Sequence, residues 1–136
     1  MAKKKISKQD ELDKTFLALK KKIKPYQKKM KVLLDKPHRY ELCSTADYEV
    51  TSERTGKTTK KKDPYFVGLI LQRTYVGFYF MAPYIEKGFM DDFSEAMQKR
   101  LKGKSCFYFK STEEVGPEVD RLLKKGYAVF KKRGLL

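Results

Sequence analysis

The chain has 136 residues, 40% hydrophobic and 36% charged, with a formal net charge of +15. That length supports one domain around a single core, and no apolar run approaches the roughly 18 residues needed to cross a bilayer. Two cysteines, Cys43 and Cys106, are too few for a secreted disulfide scaffold, and the basic residues 1–6 lack the apolar stretch of a signal peptide, so a cytoplasmic protein away from membranes is expected.

The charge is uneven. Residues 1–36 hold thirteen lysines against Asp10, Glu11, Asp13 and Asp35, and further basic clusters fall at 57–62, 99–104 and 121–133. Such asymmetry fits a polyanionic partner, whether nucleic acid, anionic lipid or an acidic protein, although a solvated lysine surface is the plainer reading.

Residues 1–8 read as a basic flexible arm and 9–136 as a single domain. From Gln9, apolar residues at Leu12, Phe16, Leu19, Ile23, Tyr26, Met30 and Leu33 alternate spacings of four and three, which predicts one helical face. Pro25 should kink that helix or open a second one, and Pro37 should end it. Residues 39–45 and 47–52 alternate as two strands, with Tyr40, Leu42, Tyr48 and Val50 pointing inward. Residues 53–64 read as a basic flexible loop.

Residues 66–82 are the longest apolar tract, split by one polar break at 72–74, and predict the central hairpin. A turn at Arg73-Thr74 sets Ile70 opposite Gly77 and Gly68 opposite Tyr79, so each glycine gains a bulky cover. Val67, Leu69, Leu71, Val76, Phe78 and Phe80 then face the helices. Phe66, Ile70, Tyr75, Tyr79 and Met81 share the other face with both glycines. Residues 91–101 predict a short helix burying Phe93, Met97 and Leu101. Residues 104–110 predict a fifth strand with Phe107 and Phe109 on one face and Cys106 and Tyr108 on the other. Gly116-Pro117 opens a last helix with Val119, Leu122, Leu123, Tyr127 and Phe130 inward and Gly134 as its stop. The order implies an α+β fold: a roughly five-stranded, mainly antiparallel sheet with N- and C-terminal helices packed on one face.

Little in the chain suggests catalysis. Thr51-Ser52-Glu53-Arg54-Thr55-Gly56-Lys57-Thr58 ends like a phosphate-binding loop, but Thr51 stands where that loop needs glycine and no helix is predicted after it. His38 is the only histidine, so familiar zinc spacings are absent. The acidic pairs Asp91-Asp92 and Glu113-Glu114, with Asp10, Glu11 and Asp13, lie near helix starts, where capping and dipole compensation account for them. A tyrosine-bearing sheet face rimmed by lysine is a better candidate, because single-stranded nucleic acids bind through base stacking plus phosphate contacts.

Residues 101–110, Leu-Lys-Gly-Lys-Ser-Cys-Phe-Tyr-Phe-Lys, are preceded by Val76-Gly77-Phe78-Tyr79-Phe80-Met81 and followed by a helix through Gly126-Tyr127. This combination resembles the YdhG-like family, a bacterial domain of unknown function, from about Tyr26 to Leu136, with the lysine-rich start as an extension. The resemblance implies helices against one antiparallel sheet, a frataxin-like relationship and iron delivery in some members. Iron binding of that type calls for a carboxylate-lined face, whereas the first helix here is dominated by lysine. Pro37-His38-Arg39-Tyr40 also lacks the Gly-x-Pro-aromatic start found in many members.

The expectation is a YdhG-like protein, not an enzyme: a binding or chaperone-type module for an acidic partner, with no cofactor, metal or catalytic residue. The candidate contact residues are Tyr75, Tyr79 and Tyr108 with Lys60, Lys61, Lys62 and Lys104. Three alternatives stay open: nonspecific single-stranded nucleic-acid binding on the tyrosine face, an iron carrier of frataxin-like type, and a thiol enzyme at Cys106 with His38 as its base.

Overall fold

Ser7 starts the first helix, its side chain accepting from the Asp10 amide at 3.1 Å. The computed structural model describes residues 7–62, 65–103 and 105–135, with side chains except at 47, 48, 50, 61 and 62. Helix α1 (Lys8–Ile23) carries Asp10 and Glu11 in its first turn, where negative charge opposes the helix dipole, and buries Leu12, Thr15, Phe16, Leu19 and Ile23. Most of the expected basic arm, residues 1–6, lies outside the described residues.

The helical stripe ends sooner than its spacing predicts. Pro25 stands in the first turn of a 3-10 helix, Lys24–Lys29, and Lys31–Lys36 forms strand β1 instead of helix. Proline removes an amide that a continuing α-helix needs, and Val32 and Leu34 pair with the next strand instead, with Leu33 at a bulge between them. A two-residue turn at Pro37-His38 joins β1 to β2 (Arg39–Cys43), so Pro37 ends a strand.

The expected second strand leaves the main sheet. Residues Asp47–Thr51 (β3) pair antiparallel with Thr58–Lys62 (β4) in a two-stranded ribbon of their own. The supposed flexible loop at 53–64 therefore contains a strand. The phosphate-loop-like tract is the tip of this ribbon, closed by Gly56 at φ +69 and by the Ser52 amide donating to Lys57 O at 2.9 Å. The expected inward side chains of Tyr48 and Val50 lie outside the described residues.

The central hairpin has the predicted register. Strand β5 (Tyr65–Leu71) meets β6 (Val76–Phe80) with Gly68 opposite Tyr79 and Ile70 opposite Gly77. One residue changes face. Leu42 pairs with Val67 but Cys43 with Tyr65, so a bulge at Phe66 shifts the alternation. Phe66 turns into the core against Phe80 and Phe130, with ring centroids 5.4 and 5.0 Å away, and Tyr65 takes its place on the tyrosine face.

After the hairpin come a helical turn α2 (Ala82–Ile85), a 3-10 turn (Phe89–Asp92) and α3 (Glu95–Arg100). Ser94 caps α3 by accepting from the Met97 amide at 3.2 Å, which splits the single helix expected over 91–101 and leaves Leu101 in β7 (Leu101–Lys102). Gly103, at φ +67, turns the chain into β8 (Cys106–Phe109), and α4 (Pro117–Lys132) closes the fold.

The fold is α+β. Its six-stranded sheet has the order β1-β2-β5-β6-β8-β7, with antiparallel neighbours throughout. Tyr40, Leu42, Val67, Leu69, Val76, Phe78, Phe80, Phe107 and Phe109 form the buried side under the helices. Gly126 of α4 lies over Phe80, where an added Cβ would stand 2.2 Å from the ring tip. No helix of the described residues is long and apolar enough to cross a membrane.

Two carboxylates tie distant segments together. Glu11 of α1 accepts from the Thr112 amide at 2.9 Å and its hydroxyl at 3.1 Å, and Glu118 of α4 accepts from the Ser94 amide at 2.8 Å and its hydroxyl. These bonds hold both carboxyls below the ordinary value of 4.5. A depressed folded pKa contributes stability that is present above the unfolded value and is lost as pH falls through the folded one. The unfolding midpoint should therefore fall as pH drops below about 4.5, and a Glu11→Gln/Glu118→Gln variant should show a flatter acid limb in urea titrations.

Candidate functional site

Strand pairing fixes what stands on the sheet face opposite the helices. One cross-strand row reads Leu34, Glu41, Gly68, Tyr79, Cys106 and Lys102, and the next reads Lys36, Arg39, Ile70, Gly77 and Tyr108. Residues opposite one another share a face. Tyr65, Ile70, Tyr75, Tyr79, Cys106 and Tyr108 are all half-buried, so this face meets solvent.

The two strand glycines decide how the tyrosines lie. A Cβ on Gly77 would meet the Tyr79 ring at 2.8 Å, and one on Gly68 would meet the Tyr65 hydroxyl at 1.5 Å. Tyr79 thus leans across Gly77, between Ile70 and Tyr108, and Tyr65 leans across Gly68 beside Glu41. Tyr75 stacks on Tyr108 with centroids 3.9 Å apart and planes at 18°. A hydrogen bond between their hydroxyls, then burial, pushes Tyr75 up to about 12. Burial raises Tyr79, with the neighbouring Cys106 adding to it. The predicted trio Tyr75, Tyr79 and Tyr108 therefore forms one surface.

The lysines distribute differently. Lys60 is exposed on β4 of the ribbon, which is not part of the tyrosine-bearing sheet. The side chains of Lys61 and Lys62, and all of Lys104, lie outside the described residues. Lys99, Lys102 and Lys110 instead line a concavity of about 410 Å³ against Tyr108, with Arg100 and Glu114. Arg100 is committed to an ion pair with Glu114, whose Oε1 also accepts from the Lys110 amide at 2.8 Å.

Arg39, Glu41 and Tyr65 were not singled out in the sequence. Glu41 is 7% exposed although charged, and Arg39 meets its Oε1 through Nε at 2.9 Å and Nη2 at 2.8 Å. The Tyr65 hydroxyl is bonded to the same carboxylate, and burial followed by that negative charge raises Tyr65 while Arg39 opposes the rise. Placing Tyr40 and Leu42 inward already sends Arg39 and Glu41 to the open face, a signal legible from alternation alone. Tyr65 depends on the bulge.

The thiol and the histidine do not combine. His38 belongs to the β1–β2 turn and Cys106 to β8, with β5 and β6 between β2 and β8, roughly 14 Å at the usual strand spacing. Burial raises the Cys106 thiol above the ordinary value of 9.0, opposed by a hydrogen bond from Tyr79. Alkylation of Cys106 at neutral pH should be slower than that of a free thiol, and Tyr79→Phe should slow it further by removing the bond that favours thiolate. Fast alkylation at pH 7 would contradict this environment.

Among the described residues, no group of three or more His, Cys, Asp or Glu side chains is gathered to hold a metal ion. The acidic pairs serve the fold: Asp92 bonds Lys125 at 3.0 Å and Glu114 bonds Arg100. No family model, curated protein or solved structure matches the chain.

Proposed function

We propose that the chain is a YdhG-like, non-enzymatic binding module whose open sheet face takes up single-stranded nucleic acid as its acidic partner. The observation that carries this reading is the Tyr79 ring leaning across Gly77, in line with the stacked Tyr75–Tyr108 pair. A ring laid along a sheet offers a π-face to any base, and the neighbouring Lys99, Lys102 and Lys110 stand where a phosphate backbone would run. Strand-like bases on the rings and phosphates on the β7 side would use both halves of the surface.

The test is fluorescence anisotropy with a labelled single-stranded oligonucleotide over a range of salt. Tyr79→Ala should weaken binding by about 1–3 kcal/mol, the value of one base–aromatic stack. Three lysine–phosphate contacts should give a slope of log K against log salt near −2. Loss of all binding at moderate salt, with no effect of Tyr79→Ala, would reduce the interaction to lysine electrostatics. Equal competition by polyglutamate would favour an acidic protein instead.

A further inference from the structure

Beside the tyrosines is a second concavity of about 410 Å³, lined by Arg39, Glu41, Tyr65, Ile70, Tyr79 and Met81 among others. Arg39 is opposite Ile70 and Ile70 is opposite Gly77, so its Cα lies about 10 Å, two strand spacings, from the glycine under Tyr79. A base resting on Tyr79 would have one edge within reach of the Arg39 side chain.

The guanidinium is held for such a contact. Both of its bonds to Glu41 Oε1 use the edge formed by Nε and Nη2, so the end-on pair of donors, on Nη1 and Nη2, points away from the carboxylate. The Arg39 side chain is 45% exposed while that of Glu41 is 10% exposed, so the arginine reaches solvent although its partner is buried. Glu41 also offsets the charge of Arg39. The pair therefore attracts phosphate weakly compared with Lys102 or Lys110, yet keeps two parallel N–H donors. Those donors suit an edge with two adjacent acceptors. On a splayed single-stranded base, guanine presents O6 and N7 together and cytosine presents N3 and O2 together, whereas adenine sets an amino donor beside N7 or N1 and thymine separates O4 from O2 by its N3–H.

We infer that Arg39, braced by Glu41, makes the tyrosine face prefer guanine over adenine and thymine, reading the O6/N7 edge of a base stacked on Tyr79. This rests on the single-stranded nucleic-acid reading above and adds a specificity to it. Recognition combines one stacked ring with one bidentate arginine, and the remaining nucleotides are held through their phosphates.

The experiment compares a short oligothymidine, the same strand with one central guanine, and the same strand with 7-deazaguanine in that place. The protein should bind the guanine strand roughly tenfold more tightly than oligothymidine, and 7-deazaguanine, lacking N7, should forfeit most of that gain. Arg39→Lys retains charge beside Glu41 but loses the fork. It should abolish the guanine preference and leave oligothymidine affinity within about twofold, since its phosphate contacts are untouched. Because the 7-deazaguanine comparison uses the unaltered protein, it stands even if Arg39→Lys fails to fold. Binding of oligothymidine with no gain from guanine, or an equal gain from 7-deazaguanine, would overturn the inference and leave the broader reading intact. No binding of any strand would remove both.

Discussion

Phe80→Ala is expected to cost about 3–5 kcal/mol of folding stability, the usual range for emptying a buried phenylalanine site. Phe80 is fully buried, and its ring meets Phe66 at 5.4 Å, Phe78 at 5.5 Å and Phe89 at 6.0 Å between centroids. Those partners come from β5, β6 and the segment after α2, so no single element shifts to fill the space. Against a typical stability of about 5–15 kcal/mol, the variant should unfold at a much lower urea concentration with its denaturant slope unchanged. A loss below about 1 kcal/mol would mean that this ring does not anchor the core.

Gly126→Val approaches the same contact from the other side. Even a Cβ at this position would stand 2.2 Å from Cζ of Phe80 and 2.8 Å from Cε2. The ring is held by its aromatic neighbours, so relief must come from moving α4. Valine adds two further methyl groups. Replacing a helical glycine gains about 0.5 kcal/mol in propensity, which is smaller than an overpacking cost of about 3 kcal/mol. Net destabilisation is therefore expected, read by thermal and urea unfolding. Phe80→Leu combined with Gly126→Val should lose less than the two single losses added together, because the shorter side chain frees the contested volume. Strict additivity would show that the two residues do not press on each other.

The hairpin was legible because its constraints agree. A polar break fixes the turn, and two glycines in the right phase demand bulky neighbours, so one register satisfies all of them. β1 was hidden for the opposite reason: Met30 and Leu33 continue a helical spacing by coincidence, and only the stop imposed by Pro25 argues against it. The Phe66 bulge leaves no mark in composition. It exchanges Phe66 for Tyr65 on the open face, and with that exchange the hydroxyl bonded to Glu41 was lost from view. The tyrosine trio was readable from alternation, whereas the lysines beside it were not. Lys102 and Lys110 gain their place from a two-residue strand and the chain leaving β8, neither of which has a periodic pattern to betray it. The ribbon was obscured by its six consecutive residues from Lys57 to Lys62, polar enough to pass for loop although Thr58 and Thr59 favour strand.

The borders of the main sheet carry one more consequence. On one side β7 is two residues long; on the other, β1 is kinked at Leu33, flanked by Lys31, Asp35 and Lys36, and followed at once by Pro37. Neither border offers a long, regular ladder of free amides, which is what a foreign strand needs to add itself. Despite the apolar Val32 and Leu33 near its rim, the main sheet is guarded against adding strands edge to edge at high concentration. What the main sheet leaves open is its broad side, which presents side chains rather than backbone.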